Sequence, residues 1–108
     1  MNSETFERLK ELVGTNDILI SSHGYDELAD DGIFVKDVLR SFEKAIVIED
    51  YPAFGKGPAV LLLQYDGAGN IIHTVWGIPK GKNGPAVLIT AYRPDPERWT
   101  EDFTKRRD

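Results

Sequence analysis

The chain contains no cysteine. Disulfides, thiolate metal ligands and cysteine nucleophiles are therefore excluded, and a reducing compartment, the cytoplasm by default, is the expected home. No apolar run approaches the roughly 20 residues that a membrane span requires. The opening MNSETFERLKELVG has neither the basic start nor the apolar stretch of a secretion signal, so no membrane attachment is expected. A basic excess is also missing: the net charge of −5 argues against a general polyanion binder. Titratable groups near neutrality are scarce, because only two histidines, His23 and His73, have an ordinary pKa in that range.

What is present fits a single domain over residues 1–108, long enough to close one core without staples. The charge is unevenly spread: Met1 to Tyr51 carries net −7 and Pro52 to Asp108 net +2, so an anion site belongs in the second half. The first 44 residues read as helical. Phe6, Leu9, Leu12 and Val13 recur at helical spacing before Gly14. After the short apolar run in NDILISS, Ser21 and Ser22 are suited to cap a second helix closing at Gly32, and His23 falls in its first turn. Val35, Val38, Leu39 and Phe42 mark a third helix.

From residue 45 to 93 the period changes. AIVIEDY, AVLLLQYD, NIIHTVWGI and AVLITAY are short, rich in β-branched and aromatic residues, and bounded by Gly, Pro, Asp or Asn. They predict a four-stranded antiparallel meander, with DGAGN as a hairpin turn using Gly67 and Gly69 at positive φ. GKGPAVLLLQYD and GKNGPAVLITAYR look alike, as two parallel solutions to entering a strand. Asp95 as a cap, Pro96 at the first helical position, and Trp99 and Phe103 four apart predict a C-terminal helix over 95–106. The expected fold is α+β, with N-terminal helices packed on one face of the sheet.

His73 shares a strand face with Ile71 and Val75, which makes it either a satisfied buried imidazole or a site residue. His23, at a helix start, is either a surface or capping residue or a catalyst. Thr90 and Tyr92 share a face of the last strand, and Pro94 holds the exit so that Arg93 could meet an anion at a fixed angle. The alternative is that threonine and tyrosine simply cover a core edge. His23 and Glu27, at i and i+4, supply two metal ligands without a third, so no metal is expected. DELADDG lacks the ligand order of a calcium loop, and the Gly-Lys pairs lack the Ser or Thr of a phosphate loop.

ISSHGYDELADDGIFVKDVLRSFEKA, then HTVWGI, then VLITAYRPDPERW resembles the small bacterial domain-of-unknown-function family 4258, over roughly Ile20 to Trp99. That family's layout is similar to compact ribonuclease toxins of the RelE and colicin type. The resemblance implies cofactor-free, metal-independent RNA cleavage: His23 and His73 in acid-base roles, with Thr90, Tyr92 and Arg93 holding the phosphate and Tyr92 counted among the catalytic groups. Glu27 and Asp31 stand near positions where the family carries arginines, and carboxylates there repel a phosphate backbone, which implies weakened or lost activity. The competing expectation is an acidic protein-binding module of the immunity or antitoxin type, whose helical half meets a basic partner. Both expectations leave the oligomeric state open.

Overall fold

A computed structural model describes residues 2–107. Three helices form where the apolar period places them: α1 (Glu4–Gly14), α2 (Ser22–Asp31) and α3 (Val35–Arg40), the last followed by a 3-10 turn over Phe42–Lys44. Ser3 caps α1 by accepting the Phe6 N–H at 3.1 Å, and Ser21 caps α2 by accepting the Gly24 N–H at 2.9 Å. Gly32 closes α2 in the left-handed conformation, φ 63°, as a C-terminal glycine should.

The sheet has five strands, β1 (Ile18–Ile20), β2 (Ile46–Tyr51), β3 (Ala59–Tyr65), β4 (Ile71–Gly77) and β5 (Ala86–Tyr92), in the order β1-β5-β4-β3-β2. Strands β2 to β5 form the expected antiparallel meander. The expectation of a four-stranded, purely antiparallel sheet is corrected by β1, which pairs in parallel with β5. A three-residue apolar run carries no strand period of its own; its pairing is set by a partner nearly 70 residues away.

Alternation along the strands divides the core in two. Val60, Leu62, Ile72, Trp76, Leu88 and Ala91 face the helices and pack with Leu9, Leu28, Val38 and Phe42. Leu61 and Leu63 face the other way and meet Ile48 and Trp99. Burial on both sides explains why β3 reads as a continuous apolar run instead of an alternating one. The helix side also encloses Gln64, whose amide donates to the Val38 carbonyl at 2.6 Å and accepts from Thr74 at 2.5 Å and from Trp76 Nε1 at 3.2 Å. That network ties α3 to the sheet.

The helix expected over 95–106 is absent. Asp95 accepts the Glu97 N–H at 2.9 Å in a local turn, and the chain doubles back so that Trp99 bridges Arg106. Asp102 explains the outcome: its carboxylate accepts from Thr100 Oγ1, Thr104 N and Thr104 Oγ1 at 2.7–3.1 Å. Such side-chain bonds offer the backbone an alternative to helix, and two threonines weaken helix propensity further. The irregular tail lays Trp99 and Phe103 on the second sheet face. In the β3–β4 turn only Gly69 has positive φ, 85°; Gly67 instead makes room for Asp37, whose Oδ1 would lie 3.2 Å from an added Cβ.

Candidate functional site

Strand pairing places His73 of β4 directly opposite Tyr92 of β5, and Val75 opposite Thr90, all on the face away from the helices. His73 is fully buried there. Its Nε2 lies 2.9 Å from the Phe103 carbonyl and its Nδ1 3.2 Å from the Tyr92 hydroxyl. A carbonyl only accepts, so Nε2 carries the hydrogen and Nδ1 is left to accept the phenol's proton. The imidazole also stands edge-on to Trp99, ring centres 4.5 Å apart. Burial pushes its pKa below the ordinary value, with the Phe103 carbonyl working in the opposite direction, and burial raises that of Tyr92. Both groups are neutral at pH 7.

Above this pair, between the end of β5 and the tail, lies a cleft of about 460 Å³ lined by Tyr92, Arg93, Asp95, Arg98, Trp99 and Arg106. Two of its three guanidiniums are held. Arg106 makes a two-pronged bond to Glu49, each arm 3.0 Å, and lies over the Trp99 ring. Arg106 holds the Glu49 carboxyl below its usual range, and Glu49 also accepts from the Tyr51 hydroxyl. Arg93 turns away from the cleft's centre: Nε donates to the Asp31 carbonyl at 3.0 Å and Nη1 to Asp66 at 2.9 Å. It thereby joins the end of α2 to the β3–β4 turn. Arg98 is the least held of the three, its side chain 83% exposed and in a long 3.9 Å ion pair with Asp95.

Of the sequence-predicted residues, the fold brings together His73, Tyr92, Thr90 and Arg93 along one strand pair. His23 lies elsewhere, on α2 in the helix layer, on the side of the sheet opposite His73; its side chain is 65% exposed and 3.6 Å from Glu27. The two imidazoles therefore do not converge on one pocket. Two acids of α2 have local partners: Glu27 faces His23, and Asp31 accepts the Arg93 N–H at 2.8 Å. Sequence reasoning missed the cleft residues Arg98, Trp99 and Arg106, and with them Glu49, which holds Arg106 from beside the cleft. Three of them sit in the tail read as a helix, where a basic residue near the end needs no explanation beyond the helix dipole.

Among the described residues, no cluster of three or more His, Asp or Glu side chains is arranged to hold a metal, and no helix is long and apolar enough to cross a membrane. No curated protein and no solved structure matches the chain. The segment from Ile20, which ends β1, to Arg93, just past β5, matches the model Domain of unknown function (DUF4258), over residues 20–93; the chain belongs to that family.

Proposed function

We propose that the cleft at the end of β5 binds a phosphate-bearing ligand, RNA, and that Tyr92 and His73 act there as a proton relay for metal-independent cleavage. The observation that carries this is the direction of the phenol's hydrogen. Because His73 Nε2–H is committed to Phe103, the Tyr92 proton points inward to Nδ1, and the phenol oxygen meets the cleft as an acceptor. A ribose 2′-hydroxyl there gives its proton to Tyr92 as Tyr92 passes its own to His73. The 2′-oxygen then bonds to phosphorus, the 5′-oxygen leaves with a proton from water in the cleft, and a 2′,3′-cyclic phosphate remains. Arg98 and Arg106 offset the charge that gathers on the phosphate. His73 returns its proton to solvent through Tyr92. Thr90, two residues back along β5 on the face it shares with Tyr92, and Arg93, at the edge of the cleft, orient the bound strand, while His23 takes no part in this step.

The test is cleavage of a mixed-sequence single-stranded RNA pool, with cyclic phosphate ends as the readout. Tyr92→Phe should lower kcat by about 100-fold or more, and Arg98→Ala should raise KM. Full activity in Tyr92→Phe would refute the relay. Binding without cleavage by the wild-type chain would leave only the phosphate-binding half standing.

A second reading, a protein-binding module without catalysis, is favoured by the outer face of α2, where Tyr25 is 58% exposed beside Asp26 and Asp30. A basic partner would meet that face. Loss of binding to such a partner in Tyr25→Ala, with RNA cleavage absent, would select it.

A further inference from the structure

The two strand entries that look alike in sequence, residues 52–58 (PAFGKGP) and 79–85 (PKGKNGP), are brought side by side by the fold. Lys80 N–H donates to the Lys56 carbonyl and Ile78 N–H to the Pro58 carbonyl, each at 3.0 Å. Gly57, at φ 129°, lies against the Ile78 carbonyl so closely that no side chain fits. Between this joined lip and β5 runs a groove of about 360 Å³, with Phe54, Lys56, Ile78, Pro79, Val87 and Ile89 among its walls and no tail residue among them.

The β5 bulge opposite Val75 sets Ile89 next to Thr90, and Gly77 opposite Val87 leaves the floor low. Leu19 continues the apolar surface: it pairs in register with Val87 and is 55% exposed. Phe54 is 52% exposed. The groove is thus a concave, mostly aliphatic strip that water reaches, of the kind that takes side-chain anchors of another chain.

Its charge points to the partner. The two lip segments hold Lys56, Lys80 and Lys82 and no acid, in a chain whose net charge is −5. All three lysines are exposed. We propose that this groove docks a peptide segment of a protein partner that presents one or two large apolar side chains flanked by carboxylates. The apolar anchors fill the trough between Phe54 and Ile89, and the carboxylates meet Lys56 and Lys80 at the lip. The groove shares no residue with the arginine-lined cleft, so the two surfaces can be tested separately.

The probe is a random library of 12-residue peptides displayed on phage and selected on the full chain, followed by fluorescence anisotropy of the recovered peptides. Enriched peptides should share an apolar pair with neighbouring Asp or Glu. Phe54→Ala should weaken them severalfold, Ile89→Asp at least tenfold, and Lys56→Glu with Lys80→Glu should reverse the preference toward basic flanks. Phe54 is exposed, so its variant keeps the test intact if Ile89→Asp fails to fold. Affinity unchanged in Tyr92→Phe separates this docking from the cleavage proposal. Absence of any enriched peptide, or peptides that bind Phe54→Ala as tightly as wild type, would overturn the proposal. So would concentration-dependent dimerisation abolished by Phe54→Ala, which would make the occupant a second copy.

Discussion

Lowering the pH from 7.5 to 5.5 should destabilise the fold through His73, and the size of the loss follows from its surroundings. The ring is fully buried with both nitrogens used: one donates to Phe103 and the other accepts from Tyr92. A proton added to Nδ1 would turn that acceptor into a donor and place a charge under Trp99. The folded pKa therefore lies below the ordinary 6.5, with burial as the largest cause. Between 6.5 and the folded value the unfolded chain binds a proton that the native state refuses. In that window stability falls as pH falls, by at most about 1.4 kcal/mol per pH unit. Below the folded value this loss stops growing. Carboxyls whose folded pKa is lowered act in a separate, more acidic window: Glu49, held by Arg106, Asp66, held by backbone N–H groups, and Asp102, held by Thr104, contribute stability that is lost as pH falls from their ordinary values to their lower folded ones. Urea unfolding followed by tryptophan fluorescence at closely spaced pH values reads the slope, since Trp76 and Trp99 report the two sheet faces. His73→Gln should cost about 1–3 kcal/mol at pH 7 for the polar groups left unpaired, and should lose most of the slope between pH 5.5 and 6.5. An equal slope in His73→Gln, or stability that rises on acidification, would refute the reasoning.

Gly24→Ala should destabilise by about 1–3 kcal/mol in thermal unfolding although alanine is the better helix former, because its Cβ would lie 2.8 Å from the Leu88 carbonyl where α2 touches β5. Gln64→Leu should cost at least about 3 kcal/mol in chemical denaturation with an unchanged m-value, since the Val38 carbonyl, the Thr74 hydroxyl and the Trp76 N–H all lose a buried partner. Glu49→Gln should loosen the tail: amides of residues 99–107 should exchange with deuterium at least about tenfold faster while those of β3 and β4 keep their protection, and unchanged exchange would show that Arg106 does not fasten the strap.

Much of the fold was legible because it is written locally. The period of Phe6, Leu9 and Leu12, the Ser21 cap and the Gly32 stop mark helices wherever they occur, and the strand runs of residues 45–93 carry their own turns. The candidate site was legible only in part. Tyr92 and His73 were both singled out, and β4–β5 pairing joined them, but their hydrogen-bond directions depend on the Phe103 carbonyl 30 residues further on. The pairing of His73 with His23 did not survive folding, because chain order says nothing about which layer of the molecule a helix enters.

The amino-acid order alone marked the three N-terminal helices with their caps and stops, the turns between the meander strands and the concentration of basic groups in the second half, since each depends on residues a few positions apart. Tertiary structure decided three matters. Ile18–Ile20 became a parallel edge strand because β5 offered its backbone; the tail abandoned a helix for a strap because Asp102 and the buried His73 N–H both required irregular backbone; and the look-alike loops met to form a groove. In each case the deciding partner lies far along the chain or competes with the local preference, so no short window of sequence contains the balance of free energies that chose.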